Sequence, residues 1–102
     1  MKVTLCFVPP GGGENDYCLE MEMPAVPQRG DYISIQRNGQ TGLEDFIVRR
    51  TWWGFECTDE GKQGRTTDIT VECEFAKGPF SSESHTRACS RYDAPEFENT
   101  MY

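Results

Sequence analysis

Apolar residues recur at every second position in four stretches of the chain: Val3-Leu5-Phe7, Leu19-Met21-Met23, Ile33-Ile35 and Ile69-Val71-Cys73-Phe75. A period of two is the signature of a strand with one face on a core and one in solvent. A fifth stretch, Phe46 to Cys57, starts with the same alternation at Phe46 and Val48 and then departs from it at Arg49-Arg50-Thr51-Trp52-Trp53. Turn residues separate the stretches: Pro9 to Asp16, Pro24 to Asp31, Asn38-Gly39 to Gly42, and the charged segment Thr58 to Arg65. The pattern predicts strands over about Lys2–Val8, Tyr17–Met23, Tyr32–Gln36, Glu44–Cys57 and Thr67–Ala76. The lapse in alternation near Arg50 to Trp53 predicts a bulge or sharp bend, a device by which small barrels close.

Five short strands around one core define an all-β chain: a small, strongly bent, five-stranded antiparallel barrel. The first two strands form a hairpin around Gly12. Its inward set is Val3, Leu5, Phe7, Leu19, Met21 and Met23, and Glu20 and Glu22 point outward. From Gly78 onward a Gly-Pro pair, a serine-rich segment and mixed charges replace the alternation. A helix over Ser82–Arg91 with Ser82 as its cap is conceivable, but it shows no apolar stripe. The expected organisation is therefore a barrel domain over residues 1–77 and a polar tail over 78–102, loosely ordered or ordered by a partner.

At 102 residues and 36% apolar, the chain supports one modest core, close to the lower limit for independent stability. A homo-oligomer or a bound partner would supplement such a core. Seventeen acidic against ten basic residues give a net charge of −7. Up to Ala76 there are 13 acidic and 7 basic residues, so the acidity belongs to the expected barrel. Long-range repulsion from phosphate backbones disfavours nucleic acid; an acidic surface suits solubility first, and otherwise a basic protein partner or imitation of nucleic-acid charge. The apolar run at the N-terminus ends after six residues, too short for a secretion signal, and no stretch reaches membrane-spanning length. A cytoplasmic protein is expected, with no membrane partner. Its five cysteines are then expected to be reduced, several serving as small core residues. In a hairpin centred on Gly12, however, Cys6 and Cys18 stand opposite each other, so a cross-strand disulfide is sterically open.

Candidate chemistry is sparse. Gly11-Gly12-Gly13 follows a strand, but neither a GK[ST] sequence nor a helix follows it, and a flexible hairpin loop is the better reading. His85, Cys89 and Asp93 have helical i, i+4, i+8 spacing but lack further ligands for a metal. His85 is the single histidine, and nothing pre-organises a dyad with Cys89. No catalytic residue, metal site or cofactor is expected.

The candidate contact surface is Trp52 and Trp53 with Arg49 and Arg50 and the acidic strand positions Glu72 and Glu74. Adjacent strand residues face opposite ways, so at most one tryptophan can fill the core. An exposed tryptophan suits a protein interface. The arginines could serve a single-stranded nucleic acid beside the aromatic rings, but pairing with cross-strand glutamates is the simpler assignment.

The stretch Pro27-Gln28-Arg29-Gly30-Asp31-Tyr32-Ile33-Ser34-Ile35, then Phe46-Ile47-Val48 and Ile69-Thr70-Val71-Glu72-Cys73, has the form P-x-x-G-D-x-I-x-I, F-x-V and a closing strand. Over Pro24–Phe75 it resembles short bacterial and phage proteins with an SH3-like small barrel. The resemblance implies a fold and carries no catalytic residues. The expected function is a non-catalytic protein-binding module of bacterial or phage origin, such as an inhibitor, immunity or adaptor protein. The alternatives are a single-stranded nucleic-acid binder and a structural subunit that assembles through strand edges.

Overall fold

In the computed structural model, which describes residues 1–97, the five strands are β1 (Lys2–Val8), β2 (Tyr17–Glu22), β3 (Tyr32–Ile35), β4 (Glu44–Cys57) and β5 (Gly64–Phe75). They form one sheet in the order β2-β1-β5-β4-β3, curled into a half-barrel. All the expected strands are present, and β5 begins three residues earlier than the alternation alone indicates. One pairing differs from an all-antiparallel barrel: β1 runs parallel to β5, with Leu5 opposite Val71 and Phe7 opposite Cys73, so the sheet is mixed. The remaining pairs are antiparallel.

The period-two residues fill one face. Val3, Leu5, Phe7, Phe46, Val48, Ile69, Val71, Cys73 and Phe75 are all buried in a single cluster, with Leu19, Met21, Met23, Ile33 and Ile35 packed around it. Phe7, Phe46 and Phe75 form a chain of ring contacts through its centre, at 4.3 and 5.1 Å between centroids.

The segment after Gly78 is not a loose tail. It carries α1 (Glu83–Tyr92), capped by Ser82, whose Oγ accepts the His85 amide, and ended by Asp93 in the left-handed region. His85, Ala88, Cys89 and Tyr92 lie at i, i+3, i+4 and i+7 and form the stripe that faces the sheet. Beyond the helix the chain returns beside Lys77. The Lys77 amide donates to the Pro95 carbonyl and the Phe97 amide to that of Lys77, and Phe97 stacks on Tyr32 at 4.2 Å. The part of the expected tail over 98–102 lies outside the described residues.

What holds α1 to the sheet is a buried polar knot. The Asp45 carboxylate, 1% exposed, accepts from the Ser34 hydroxyl on β3 and the Ser81 hydroxyl before α1, both at 2.5 Å. His85 Nε2 sits 2.8 Å from the Asp45 carbonyl and 2.9 Å from the Ala76 carbonyl. The Asp45 amide also lies 3.1 Å from Nε2, so this one ring nitrogen meets the backbone of both β4 and the end of β5.

The hairpin register also sets Cys6 against Cys18, and the two are joined as a disulfide, leaving Cys57, Cys73 and Cys89 free. This departs from the expectation of reduced thiols throughout. Burial pushes the Cys73 thiol up to about 12 and the Cys89 thiol to about 11, as suits inert core residues.

Two outcomes follow from the knot and the crosslink. Asp45→Ala removes the charged acceptor of two part-buried hydroxyls and should cost about 2–3 kcal/mol in urea unfolding. Reduction of Cys6–Cys18, which closes a 12-residue separation, should lower stability by about 3 kcal/mol in the same assay.

Candidate functional site

β4 and β5, at 14 and 12 residues, are far longer than their neighbours. β3 pairs with β4 only up to Ile47, and β1 with β5 only from Thr70. The far ends of β4 and β5 therefore leave the five-stranded region as a two-stranded ribbon, joined by the turn that begins at Thr58.

The register assigns each residue of the ribbon to a face. Phe46 opposite Phe75 and Val48 opposite Cys73 are core-side pairs. A register shift between Val48 and Arg50 leaves Arg49 unopposed, one residue before the bend expected from the sequence. Beyond it, Arg50 faces Glu72 and Trp52 faces Thr70 on the outer side, while Thr51 faces Val71 and Trp53 faces Ile69 on the core side. The six expected contact residues thus divide. Arg49, Arg50, Trp52, Glu72 and Glu74 gather on the outer face, and Trp53 lies on the opposite one.

On the outer face the arginines are committed within the fold. Arg49 bridges Glu72 at 2.7 Å and Glu74 at 3.1 Å, and Arg50 lies 3.4 Å from Glu72. Glu72 is an outward position in the alternation, yet it is buried beneath these two guanidinium groups. The loop after β1 closes over them. The Gly11 amide donates to Glu74, and Gly12, at φ 91°, passes so near that a Cβ there would stand 2.9 Å from Arg49 Cζ. Gly12 therefore allows the loop a close approach to the Arg49 side chain. Arg50 also lies over the Trp52 ring, 4.3 Å from its centroid.

Neither tryptophan enters the core. Trp52 is 48% exposed, Trp53 49% and Phe55 64%. Trp53 and Phe55 stack in parallel, 6.3 Å between centroids, along the core-side face of the ribbon. A notch of about 220 Å³ opens beside Trp53 between Thr51, Val26, Pro27 and Gln28. Phe55 escaped the sequence reading. Its signal was the restored two-residue spacing Thr51-Trp53-Phe55 beyond the bulge.

A second polar cluster lies at the other end of β4. Tyr17 donates to Glu44 at 2.7 Å, and Arg37 Nε meets the same carboxylate at 2.6 Å. With Asp16, Phe75, Ser84, His85 and Ala88 they line a cavity of about 280 Å³. Burial, aided by the bond to Glu44, raises the Tyr17 hydroxyl to about 12, so it remains a donor. Burial also works to raise Glu44, but the hydrogen bonds from Arg37 and Tyr17 prevail and hold its carboxyl below the usual value.

Among the described residues no three His, Cys, Asp or Glu side chains gather as a metal site, and no helix is long and apolar enough to cross a membrane. His85 and Cys89 are buried on the docked face of α1, and Asp93 is its C-terminal cap. No known family model, curated protein or solved structure matches the chain.

Because the folded pKa of Glu44 is depressed, its contribution to stability is present above the unfolded carboxylate value and is lost as pH falls through the folded one. Urea midpoints at neutral pH and well below the carboxylate range should therefore fall further for the wild type than for Glu44→Gln.

Proposed function

We propose that the chain is a non-catalytic, cytoplasmic protein-binding module of bacterial or phage origin, in the manner of an inhibitor, immunity or adaptor protein. The observation that carries this reading is the exposure of Trp52, Trp53 and Phe55 together on a ribbon that leaves the body of the sheet. Large rigid rings offer contact area at low cost in side-chain entropy and dominate binding energy at protein interfaces. A ribbon of two strands also presents two faces and two edges to a partner.

The outer-face arginines argue against the nucleic-acid alternative. Arg49 and Arg50 are neutralised by Glu72 and Glu74, and the chain as a whole carries −7. A phosphate backbone would have to displace those carboxylates. The cytoplasmic part of the proposal stands in tension with the Cys6–Cys18 disulfide, since such bonds persist mainly in oxidising compartments. An SH3-like strand plan is likewise part of the proposal and rests on the resemblance alone.

Trp52→Ala and Trp53→Ala should each lose a protein partner captured from bacterial lysate by the tagged wild type, with nuclease present. Both residues are half-exposed, so stability should change by no more than about 0.5 kcal/mol. Capture unaffected in both variants would remove the ribbon as the contact surface.

A further inference from the structure

The free edge of the ribbon has a chemistry of its own. Gly30 donates to the Val48 carbonyl and Val48 to that of Asp31, and the Thr51 hydroxyl reaches the Pro27 carbonyl. The segment before β3 thus covers the outer edge of β4 as far as Thr51. From Trp52 to Cys57, among the described residues, no strand pairs with that edge. An uncovered edge flanked by exposed aromatic rings is a template for another strand. The outer edge of β5 is less suited. The register shift at Gly54/Phe55 leaves Thr67 unopposed there, and such a bulge bends an edge away from pairing.

We propose that this β4 edge pairs antiparallel with the same edge of a second copy, joining two ribbons into one four-stranded sheet. The proposal rests on the ribbon being the contact surface and names its occupant. The argument is self-complementarity. Read from Arg50 to Glu56, the strand has a cation at one end, an anion at the other and three aromatic rings between. An antiparallel twofold pairing brings unlike ends together and never sets Glu56 against Glu56.

The covered residues before Trp52 and the turn from Thr58 confine the pairing to 52–57, near whose midpoint Gly54 lies on the twofold axis. Trp53 then stands opposite Phe55 of the second copy, twice over, on the core-side face. Glu56 stands opposite Trp52 of the second copy, whose ring already carries the Arg50 guanidinium. Arg50 is 54% exposed at its side chain and Glu56 57%, so each can reach across while keeping its own bridge to Glu72 or Arg65. Gly54 on the axis is fitting, since Asp68 Oδ1 already fills the place of a Cβ there.

Analytical ultracentrifugation of the full chain, from micromolar to near-millimolar concentration, tests this, with thermal melts to confirm that each variant folds. The wild type should pass from 11.6 kDa to twice that mass as concentration rises. Phe55→Lys should abolish the dimer. Arg50→Glu and Glu56→Arg should each weaken it about tenfold, because two symmetry-related contacts are lost at once, and the double variant should recover it. A monomer at every concentration, or a dimer indifferent to all these changes, overturns the proposal. If a monomeric chain still captures another protein through Trp52 and Trp53, the binding-module reading stands and only the second copy is excluded.

Discussion

The carboxylate of Asp45 and the imidazole of His85 are the hinge of the architecture. Between them they engage β3 through Ser34, the backbone of β4, the end of β5 through Ala76, and the approach to α1 through Ser81. A half-barrel whose edge strands do not meet has an open mouth, and its core would face water there. The knot closes that mouth with a helix of otherwise polar composition. The helix buries only Cys89 and His85, with Ala88 and Tyr92 partly covered beside them, so apolar burial alone would hold it weakly. Polar groups satisfied on every side supply the specificity that a larger apolar face supplies elsewhere.

This explains what could and could not be read from the chain. Strand alternation needs no knowledge of partners, and it located all five strands, the inward set and the Cys6–Cys18 opposition. The parallel contact of β1 with β5 is invisible to alternation, because both strands read the same whichever direction their neighbour runs. The docking of α1 was hidden for a different reason. Its stripe is His85, Ala88, Cys89 and Tyr92, residues that score as polar or small. The backbone of Asp45 and Ala76 meets the polar atoms of His85 and Cys89 as they are buried. At the candidate site, the pairing of Arg49 and Arg50 with glutamates was legible from charge and parity. The exposure of both tryptophans was not. It depends on how far β4 and β5 outrun β1 and β3, a difference set by where neighbouring strands end.

The ribbon follows from that mismatch in length. Where four or five strands lie side by side, the alternation of β4 buries Phe46 and Val48. Past Thr51 on one side and before Thr70 on the other no strand pairs beside it, and the same alternation leaves Trp53 and Phe55 in water. Two-stranded ribbons are marginal in isolation. Here the outer face compensates: the Arg50–Glu72 and Glu56–Arg65 bridges tie the two strands across, and the Arg50 guanidinium also covers Trp52 on its own strand. The structure thus stiffens one face with charge and leaves the other apolar.

That division decides which residues can carry recognition. A guanidinium already shared between two carboxylates has little left to offer an incoming anion, and displacing Glu72 would strand a buried charge. Arg49 therefore holds the ribbon in shape, and in the proposed contact most of the binding energy comes from the rings. Trp53 and Phe55 are stacked and fixed in a strand, so their burial against a partner would forfeit little conformational freedom. Trp53 and Phe55 stand outside the core cluster, and in the proposed reading contact with a partner is what would cover them.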